Sequence, residues 1–409
     1  METEHKIVAI ETRIPDEYMS GLLLVRVHTD AGLVGHGETY YAPHAVAAMI
    51  HDWMARRLLG ASALAIEAHW RFLYERSRAF GTAGAELRAL SALDLALWDI
   101  VGQVCRQPIW QLLGGKVRDR IPVYNSCAGP QYGAKHGGET ADQGWPGHGD
   151  LGRPGPLEDA WAAANTPGDL AEELLNEGYS GMKMWTLDRV AHKTKGLYID
   201  VQDLKQAIAP FLAIRERVGM RMELILDGHG FFCLPAAVRI AEAFEETKLM
   251  WLEDVLHIDC LDTLVDFRRI VKTPIAASEM FNSGEHFRLL LEKRGADYVM
   301  IDPTWVGGIS QTVRIARMAE AYDIPVLMHD CTGPLTLLAG LQVAASVSNV
   351  LYQETVRAHI RTIYKDLIDD PIIVQSGSIA LPVRPGIGVR LNPDLFNRGS
   401  PGYRLSGKL

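Results

Sequence analysis

The stretch from Met222 to Glu279 contains three apolar segments that each end in a carboxylate: MELILD (222–227), LMWLE (249–253) and TPIAASE (273–279). Their final residues, Asp227, Glu253 and Glu279, follow one another at intervals of 26 residues. This interval is about the length of one strand, one helix and two short loops. In a parallel β/α barrel the ends of successive strands meet on one face. The spacing therefore predicts that the three carboxylates converge there.

Converging carboxylates repel one another unless a cation binds between them. A ligand set made only of oxygen atoms suits a hard divalent cation such as Mg²⁺. We therefore predict a Mg²⁺ site at Asp227, Glu253 and Glu279. The alternative is that each acid caps the helix that follows its strand, as Asp and Glu often do.

Composition excludes several classes of protein. Five scattered cysteines argue against a zinc site or a disulfide framework. The formal net charge of −9, without a dense basic patch, argues against a nucleic-acid binder. No apolar run is long enough to span a bilayer, and the N-terminus lacks a secretory signal. We therefore expect a cytoplasmic protein that acts on a small molecule.

The pattern of apolar residues predicts an α/β protein, a (β/α)8-type TIM barrel with an N-terminal α+β capping domain. Residues 5–39 have the alternation of an antiparallel meander, and three helical patterns follow at about 43–59, 64–76 and 83–103. From residue 121 onward strands and helices alternate, and eight strands are expected, the number for a closed barrel.

The 409 residues exceed the size at which a single core keeps growing, which indicates more than one domain. We predict a capping domain at residues 1–120 and a barrel at residues 121–360. Residues 361–409 lack the rhythm of the barrel and are expected to pack back on the capping domain.

A stretch rich in Gly, Pro and His lies between Ser126 and Pro167, after the first predicted barrel strand. A loop in that position emerges on the catalytic face, and a loop of this length is usually functional or disordered. Tyr132, His136 and His148 are therefore candidate pocket residues. A solvated loop is the alternative for each of them.

Asp302 and His329 end two neighbouring predicted strands, which makes them a candidate pair. A carboxylate that accepts from one imidazole nitrogen fixes the tautomer and raises the basicity of the other nitrogen. We predict that His329 is a general base oriented by Asp302. The alternative for His329 is a structural histidine.

Further candidates come from other strand ends. Lys183 ends the second predicted strand and would neutralise a substrate carboxylate, and Glu354 ends the eighth and would hydrogen-bond a carboxylate or enolate oxygen if it keeps its proton. Salt links at the barrel rim are the alternative for both. In GHGETYY (35–41), Glu38, Tyr40 and Tyr41 follow a strand of the N-terminal domain, from which a loop could reach the barrel mouth.

His229 decides which reaction such a site favours. It follows Asp227 by two residues, so in an extended strand both side chains would point to the same side. A metal-bound carboxylate and a base at its α-carbon would stabilise an enediolate. A second base on the opposite face then gives racemisation or epimerisation, whereas an acid beside a β-hydroxyl gives loss of water. His229 favours dehydration.

These motifs resemble the enolase superfamily, in its mandelate racemase group. Nearly the whole chain takes part: ALSALDLALWDIVG (89–102), LLGG (112–115), the three carboxylates, Asp302 followed by Val306-Gly307-Gly308, His329 and Glu354. The resemblance implies a Mg²⁺-dependent abstraction of the proton α to a carboxylate, in a site covered by the N-terminal domain. It also implies a homo-oligomer, often an octamer.

One departure narrows the resemblance. The racemase pattern has Lys-x-Lys on the second strand, with its second lysine as a base, whereas this chain has Lys183-Met184-Trp185. Asp227-Gly228-His229 is similar instead to acid-sugar dehydratases such as galactonate and mannonate dehydratases, in which that histidine is the general acid. We therefore predict a dehydratase that converts an aldonate or aldarate to a 2-keto-3-deoxy acid, with Trp185 against the substrate. A racemase, epimerase or cycloisomerase on the same fold, or a non-catalytic metal- or ligand-binding homologue, are the alternatives.

Overall fold

An antiparallel sheet and a parallel barrel are the two β layers of the computed structural model, which describes residues 5–132 and 152–409. Two candidate pocket residues, His136 and His148, lie outside these described residues. The predicted fold, an eight-stranded barrel with an N-terminal capping unit, is confirmed. Among the described residues, no helix combines the length and the apolar surface that crossing a bilayer requires.

The capping sheet is built mainly from the first strands of the chain. Its members are β1 (Ile7–Arg13), β2 (Leu22–Thr29), β3 (Val34–Tyr40) and the last strand, β14 (Arg404–Gly407), in the spatial order β14-β1-β2-β3. The helices that follow are α1 (Pro43–Ala48), a π-helical segment (Met49–Met54), α2 (Ala55–Leu58), α3 (Ile66–Ser77), α4 (Ala85–Cys105) and α5 (Ile109–Leu112).

Helix α4 lies directly on strand β3, and two glycines make this approach possible. A Cβ atom added to Gly37 would lie 1.9 Å from the carbonyl oxygen of Ala92, and one added to Gly35 would lie 2.0 Å from that of Ala96. Both distances are far shorter than a van der Waals contact. The glycines of GHGETYY therefore fix the position of the strand that carries Tyr40.

Eight parallel strands form the barrel, which closes where β11 pairs with β4. They are β4 (Arg120–Ser126), β5 (Gly181–Met184), β6 (Glu223–Asp227), β7 (Trp251–Glu253), β8 (Ile275–Ala277), β9 (Tyr298–Ile301), β10 (Val326–Met328) and β11 (Val350–Thr355). The barrel is a packed core, because large buried side chains such as Tyr124, Trp251 and Met300 from different strands contact one another.

Helices surround the barrel and cover its outer apolar face. They are α6 (Asp159–Asn165), α7 (Pro167–Asn176), α8 (Asp188–Thr194), α9 (Val201–Val218), α10 (Leu234–Phe244), α11 (Leu261–Ile270), α12 (Gly284–Lys293), α13 (Gly308–Ala321) and α14 (Pro334–Ser346). Short 3-10 turns occur at Gly219–Arg221, Glu245–Thr247 and Pro393–Phe396. The predicted barrel helices and strands differ from these bounds by a few residues at most, and the short helices α6 and α8 were not predicted.

The C-terminal residues contact both β layers. Helix α15 (Arg357–His359), a π-helical turn (Ile360–Tyr364) and α16 (Lys365–Leu367) follow the last barrel strand. The hairpin of β12 (Val374–Gln375) and β13 (Ser378–Ala380) then pairs with β4 of the barrel, whereas β14 pairs with β1 of the capping sheet. The end of the chain therefore ties the barrel to the capping unit.

Substituting Gly37→Ala tests the close packing of α4 on β3. The new methyl group meets a backbone carbonyl that cannot rotate away, so we expect the free energy of unfolding to fall by about 1–3 kcal/mol. The control is Gly399→Ala, because a Cβ atom there has no neighbour within 4 Å. Urea unfolding of both variants gives the comparison, and equal midpoints would contradict this packing.

Candidate active site

The three predicted carboxylates lie together at the C-terminal end of the barrel. Asp227 and Glu253 are the last residues of β6 and β7, and Glu279 follows β8 by two residues. All three are buried, and one carboxylate oxygen from each lies within 4.8 Å of the other two. The alternative that these acids cap helices is wrong, because the helices that follow have other N-cap residues: Cys233, Cys260 and Ser283.

Lys183 lies among these acids. Its Nζ is 2.6 Å from Oε1 of Glu253, 2.9 Å from Oε1 of Glu354 and 3.1 Å from Oδ2 of Asp227. Burial lowers the pKa of Lys183, but Glu253 and Glu354 outweigh burial and hold this pKa well above its usual value. Lys183 and Glu354 are buried, so these pairs are not surface salt links at the barrel rim.

The carboxylate cluster fits a divalent metal ion. Burial, together with Asp227 and Glu279, raises the pKa of Glu253 to about 8 although Lys183 opposes this shift. Oε2 of Glu279 is buried and has no hydrogen-bond partner among the described residues. Lysine therefore compensates the negative charge only in part, and a free ligand atom remains. An all-oxygen donor set of this kind suits a hard cation.

His329 and Asp302 form a hydrogen-bonded pair at the ends of β10 and β9. Nδ1 of His329 lies 2.8 Å from Oδ2 of Asp302. The other oxygen of Asp302 accepts from the backbone N–H of Thr304 at 2.7 Å and from its hydroxyl at 2.8 Å, which fixes the carboxylate. Nε2 of His329 points toward Glu354, whose Oε2 lies 3.8 Å away. With Nδ1 bonded to Asp302, Nε2 is the atom that can exchange a proton.

The charge around His329 favours its protonated form. Burial lowers the pKa of His329, but Glu354, Asp302 and Glu279 outweigh burial and raise this pKa to about 10. A bound divalent cation would add positive charge nearby and act in the opposite direction. The protonation state of His329 is therefore tied to the charge of the carboxylate cluster.

His229 lies beside Asp227, but not for the reason that we predicted. The strand ends at Asp227, and His229 has a φ of 50°, in the left-handed region, so the alternation of an extended strand does not place it. Its backbone N–H donates to Oδ1 of Asp227 at 3.0 Å, and its Nε2 lies 3.6 Å from Oδ2. The residues after Asp227 form a tight turn, which is closed by the hydrogen bond from the His229 N–H to the Asp227 carboxylate. This turn brings the imidazole back to the end of the strand.

Asp188 is the partner of His229, a contact that was not predicted from the sequence. Nδ1 of His229 lies 3.0 and 3.1 Å from the two oxygens of Asp188, which is 1% exposed. Burial lowers the pKa of His229, but Asp188 and Asp227 outweigh burial and raise it to about 9. The feature of the sequence that could have indicated Asp188 is its position shortly after β5, the strand that neighbours β6.

Aromatic side chains complete the cavity in front of these groups. The ring of Trp185 lies 5.9 Å from that of His229 and 5.6 Å from that of Tyr132, while Tyr40 reaches the cavity from the capping sheet. The cavity is lined by these predicted residues: Tyr40, Tyr132, Lys183, Trp185, Asp227, His229, Glu279 and His329. Other predicted residues lie behind this lining, in contact with it: Glu253, Asp302 and Glu354.

Tyr41, a candidate named from the sequence beside Tyr40, also lines the cavity. Four further lining residues were not predicted: Ser126, Trp305, Cys331 and Thr332. Each follows or ends a strand, as the predicted residues do. Their side chains carry no charge pattern or motif that marks them in the sequence. Trp305 lies three residues after Asp302, in the loop after β9, and this position could have indicated a residue near the cavity.

Comparison with known families covers most of the chain. Residues 168–395 match the family described as enolase C-terminal domain-like. Residues 7–114 match the N-terminal domain of the mandelate racemase / muconate lactonizing enzyme family.

Several characterised or solved relatives resemble the chain along nearly its full length. D-xylonate dehydratase of Haloferax volcanii is 30% identical over 91% of this chain and 84% of its own length. A D-galactonate dehydratase family member of Streptomyces bingchenggensis is 29% identical over 96% and 92%, respectively. An enolase of the mandelate racemase subgroup from Agrobacterium tumefaciens has a TM-score of 0.84 at 36% identity, covering 98% of this chain and 99% of that one. The chain belongs to the mandelate racemase / muconate lactonizing enzyme family of the enolase superfamily.

Proposed function

We propose that the protein is a Mg²⁺-dependent dehydratase of an acid sugar, an aldonate or aldarate, and releases a 2-keto-3-deoxy acid. The observation that carries the proposal is a pair of histidine–aspartate dyads that face one cavity. His329 and Asp302 stand at β10 and β9, whereas His229 and Asp188 stand at β6 and after β5. Strands β6 and β10 are four apart in a ring of eight, so the two imidazoles approach a substrate from opposite sides.

Lys183 and the carboxylate cluster bind and orient the substrate carboxylate in this proposal. The ammonium of Lys183 supplies a positive charge at the strand ends, and it lines the same cavity as Glu279, whose Oε2 is free. Mg²⁺ held by Asp227, Glu253 and Glu279 would stabilise the charge that develops on the substrate carboxylate and offset the acids that raise the pKa of His329. A fixed carboxylate places the α-carbon against the base.

Nε2 of His329 removes the proton from carbon 2, and the electron pair of that C–H bond enters the enediolate. Asp302 stabilises the imidazolium that forms, because it accepts from Nδ1 at 2.8 Å. Glu354, 3.8 Å from Nε2, lies close enough to contact an oxygen of the enediolate.

His229 then donates a proton to the hydroxyl group on carbon 3, which leaves as water when the enediolate collapses. The resulting enol takes a proton at carbon 3 and becomes the 2-keto-3-deoxy acid. Asp188 supports this acid role, because with Asp227 it outweighs burial and keeps His229 protonated near neutral pH. Trp185 occupies the position at which the racemase pattern has a second base, which further supports loss of water.

The relatives support the substrate class. Names among them include D-xylonate dehydratase, D-gluconate dehydratase and L-rhamnonate dehydratase, each at 28–30% identity over more than 90% of this chain. The acids in these names are all sugar acids with a hydroxyl group on carbon 3. The acids differ in stereochemistry, so what they share is the carboxylate with its neighbouring hydroxyl groups.

A panel of aldonic and aldaric acids tests the activity. Incubated with the protein and Mg²⁺, at least one acid is expected to give a 2-keto-3-deoxy acid, which semicarbazide detects by absorbance. Addition of EDTA should abolish the signal, since the carboxylate cluster then lacks its cation. Absence of product from the whole panel would contradict the proposed function.

Two substitutions separate the roles of the histidines. His329→Asn should abolish both dehydration and exchange of the α-proton with D₂O, because the base is gone. His229→Asn should lower dehydration by about 10²–10⁴-fold yet retain α-proton exchange, because only the acid is removed. ¹H NMR follows both processes in one sample. Loss of exchange in His229→Asn together with its retention in His329→Asn would reverse the assignment.

Cation binding can be measured without turnover. We expect Mg²⁺ to raise the melting temperature of the wild-type protein, because a ligand that binds only the folded state stabilises it. Glu279→Ala removes one ligand and should abolish most of this shift. The matched control is Glu285→Ala on α12, an exposed acid six residues further along. A full shift in Glu279→Ala would contradict the metal site.

A further inference from the structure

Trp305 carries a hydrogen-bond donor that the protein leaves unused at the wall of the cavity. The side chain is 4% exposed and lines the cavity with His329 and Tyr41. Its Nε1 is buried and has no hydrogen-bond partner among the described residues. Leaving a buried donor unpaired costs about 1–3 kcal/mol, so an acceptor atom of a ligand in the cavity would stabilise this group.

Four other indole groups among the described residues are satisfied, in contrast to Trp305. The N–H groups of Trp70, Trp98, Trp110 and Trp251 each donate to an oxygen at 2.7–2.9 Å. Trp70 and Trp98 donate to oxygens of the barrel, Trp110 donates to the C-terminal segment, and Trp251 donates to Glu253. Trp305 belongs to the barrel and lines the cavity.

The ring of Trp305 is held firmly, so its donor is preorganised. The guanidinium of Arg88, from helix α4 of the capping unit, lies 4.3 Å from the ring centroid. The rings of Tyr41 and His329 lie 5.5 and 5.1 Å away on other sides. Such cation–π and aromatic contacts fix the orientation of an indole. Trp305 therefore connects the capping unit to the proposed base.

We propose that Nε1–H of Trp305 donates a hydrogen bond to a hydroxyl group of the sugar chain beyond carbon 3, and so selects substrates with a polyol tail. This inference rests on the proposed function. An indole is a donor only, so its ligand must offer an acceptor oxygen. Lys183 and the carboxylate cluster take the substrate carboxylate at β5–β8, whereas Trp305 follows β9 and contacts the capping unit. His329 acts at carbon 2 and His229 at the hydroxyl group of carbon 3, so the acceptor assigned to Trp305 is a hydroxyl group further along the sugar chain, which glycerate lacks.

Trp305→Phe tests the inference, because it removes the N–H and keeps an aromatic ring between Arg88 and His329. For the best acid sugar of the panel we expect kcat/KM to fall by about 3- to 10-fold through KM, the effect of one neutral hydrogen bond. Glycerate has no carbon beyond carbon 3, so the exchange of its α-proton in D₂O should fall by a clearly smaller factor than kcat/KM for the acid sugar. Calorimetric binding of the acid sugar to His329→Asn should weaken by the same factor when Trp305→Phe is added.

Two controls guard against a loss of packing. Replacement of the indole by its benzothiophene isostere, which has sulfur in place of N–H, should reproduce the effect of Trp305→Phe at full ring size. Trp53→Phe, in a π-helical segment of the capping unit, should change neither kcat/KM for the acid sugar nor the exchange of the glycerate α-proton.

Two results would overturn the inference. One is wild-type kcat/KM for the acid sugar in Trp305→Phe. The other is an equal loss for glycerate exchange, which would mean that Trp305 acts by positioning His329. Failure of the wild-type protein to convert any acid sugar is a different result, since it overturns the proposed function itself.

Discussion

The repulsion among buried carboxylates at the barrel mouth is the constraint on which the rest of the site depends. Two unit charges 4.8 Å apart repel by about 3.5 kcal/mol at an effective dielectric constant of 20, and three such pairs arise from Asp227, Glu253 and Glu279. The barrel holds these side chains in place because each is attached to a rigid strand end. Lys183 offsets part of the charge by contacts to Glu253, Asp227 and Glu354. The negative charge that Lys183 leaves uncompensated favours the binding of a cation at this site.

The same charge sets the behaviour of both histidines. His329 and His229 are buried, which disfavours their protonated forms, yet in each case neighbouring carboxylates prevail. They differ in which carboxylates act. His229 has its own partner, Asp188, and keeps its proton locally, whereas His329 also faces Glu279 and Glu354 and so depends on the charge of the metal site. One environment thus suits an acid, and the other suits a base once a cation is bound.

The fold could be predicted from the sequence because the barrel strands are short apolar runs at regular intervals. Asp227, Glu253, Asp302 and His329 each end or directly follow such a run, so their common location follows from strand direction alone. Features that depend on loops could not be predicted in this way. Asp188 pairs with a residue 41 positions away, and no local pattern encodes that contact.

Two other features depend on three-dimensional detail. His229 reaches Asp227 through a left-handed turn. Strand alternation predicts a similar position for His229, but for a wrong reason, because the strand ends at Asp227. Trp305 looks in the sequence like an ordinary core aromatic residue. Only the structure shows that its N–H lacks an acceptor among the described residues, while those of Trp70, Trp98, Trp110 and Trp251 have one. Loop conformation and hydrogen-bond satisfaction are properties of the whole molecule rather than of a segment.

The most direct test of dehydration, as opposed to epimerisation, is the fate of solvent deuterium in the wild-type reaction. The protein, Mg²⁺ and the acid sugar that it converts are incubated in D₂O, and ¹H NMR follows substrate and product. The account predicts a 2-keto-3-deoxy acid with solvent deuterium at carbon 3, and no accumulation of the substrate's carbon-2 epimer. Accumulation of that epimer with deuterium at carbon 2, and without loss of water, would contradict it.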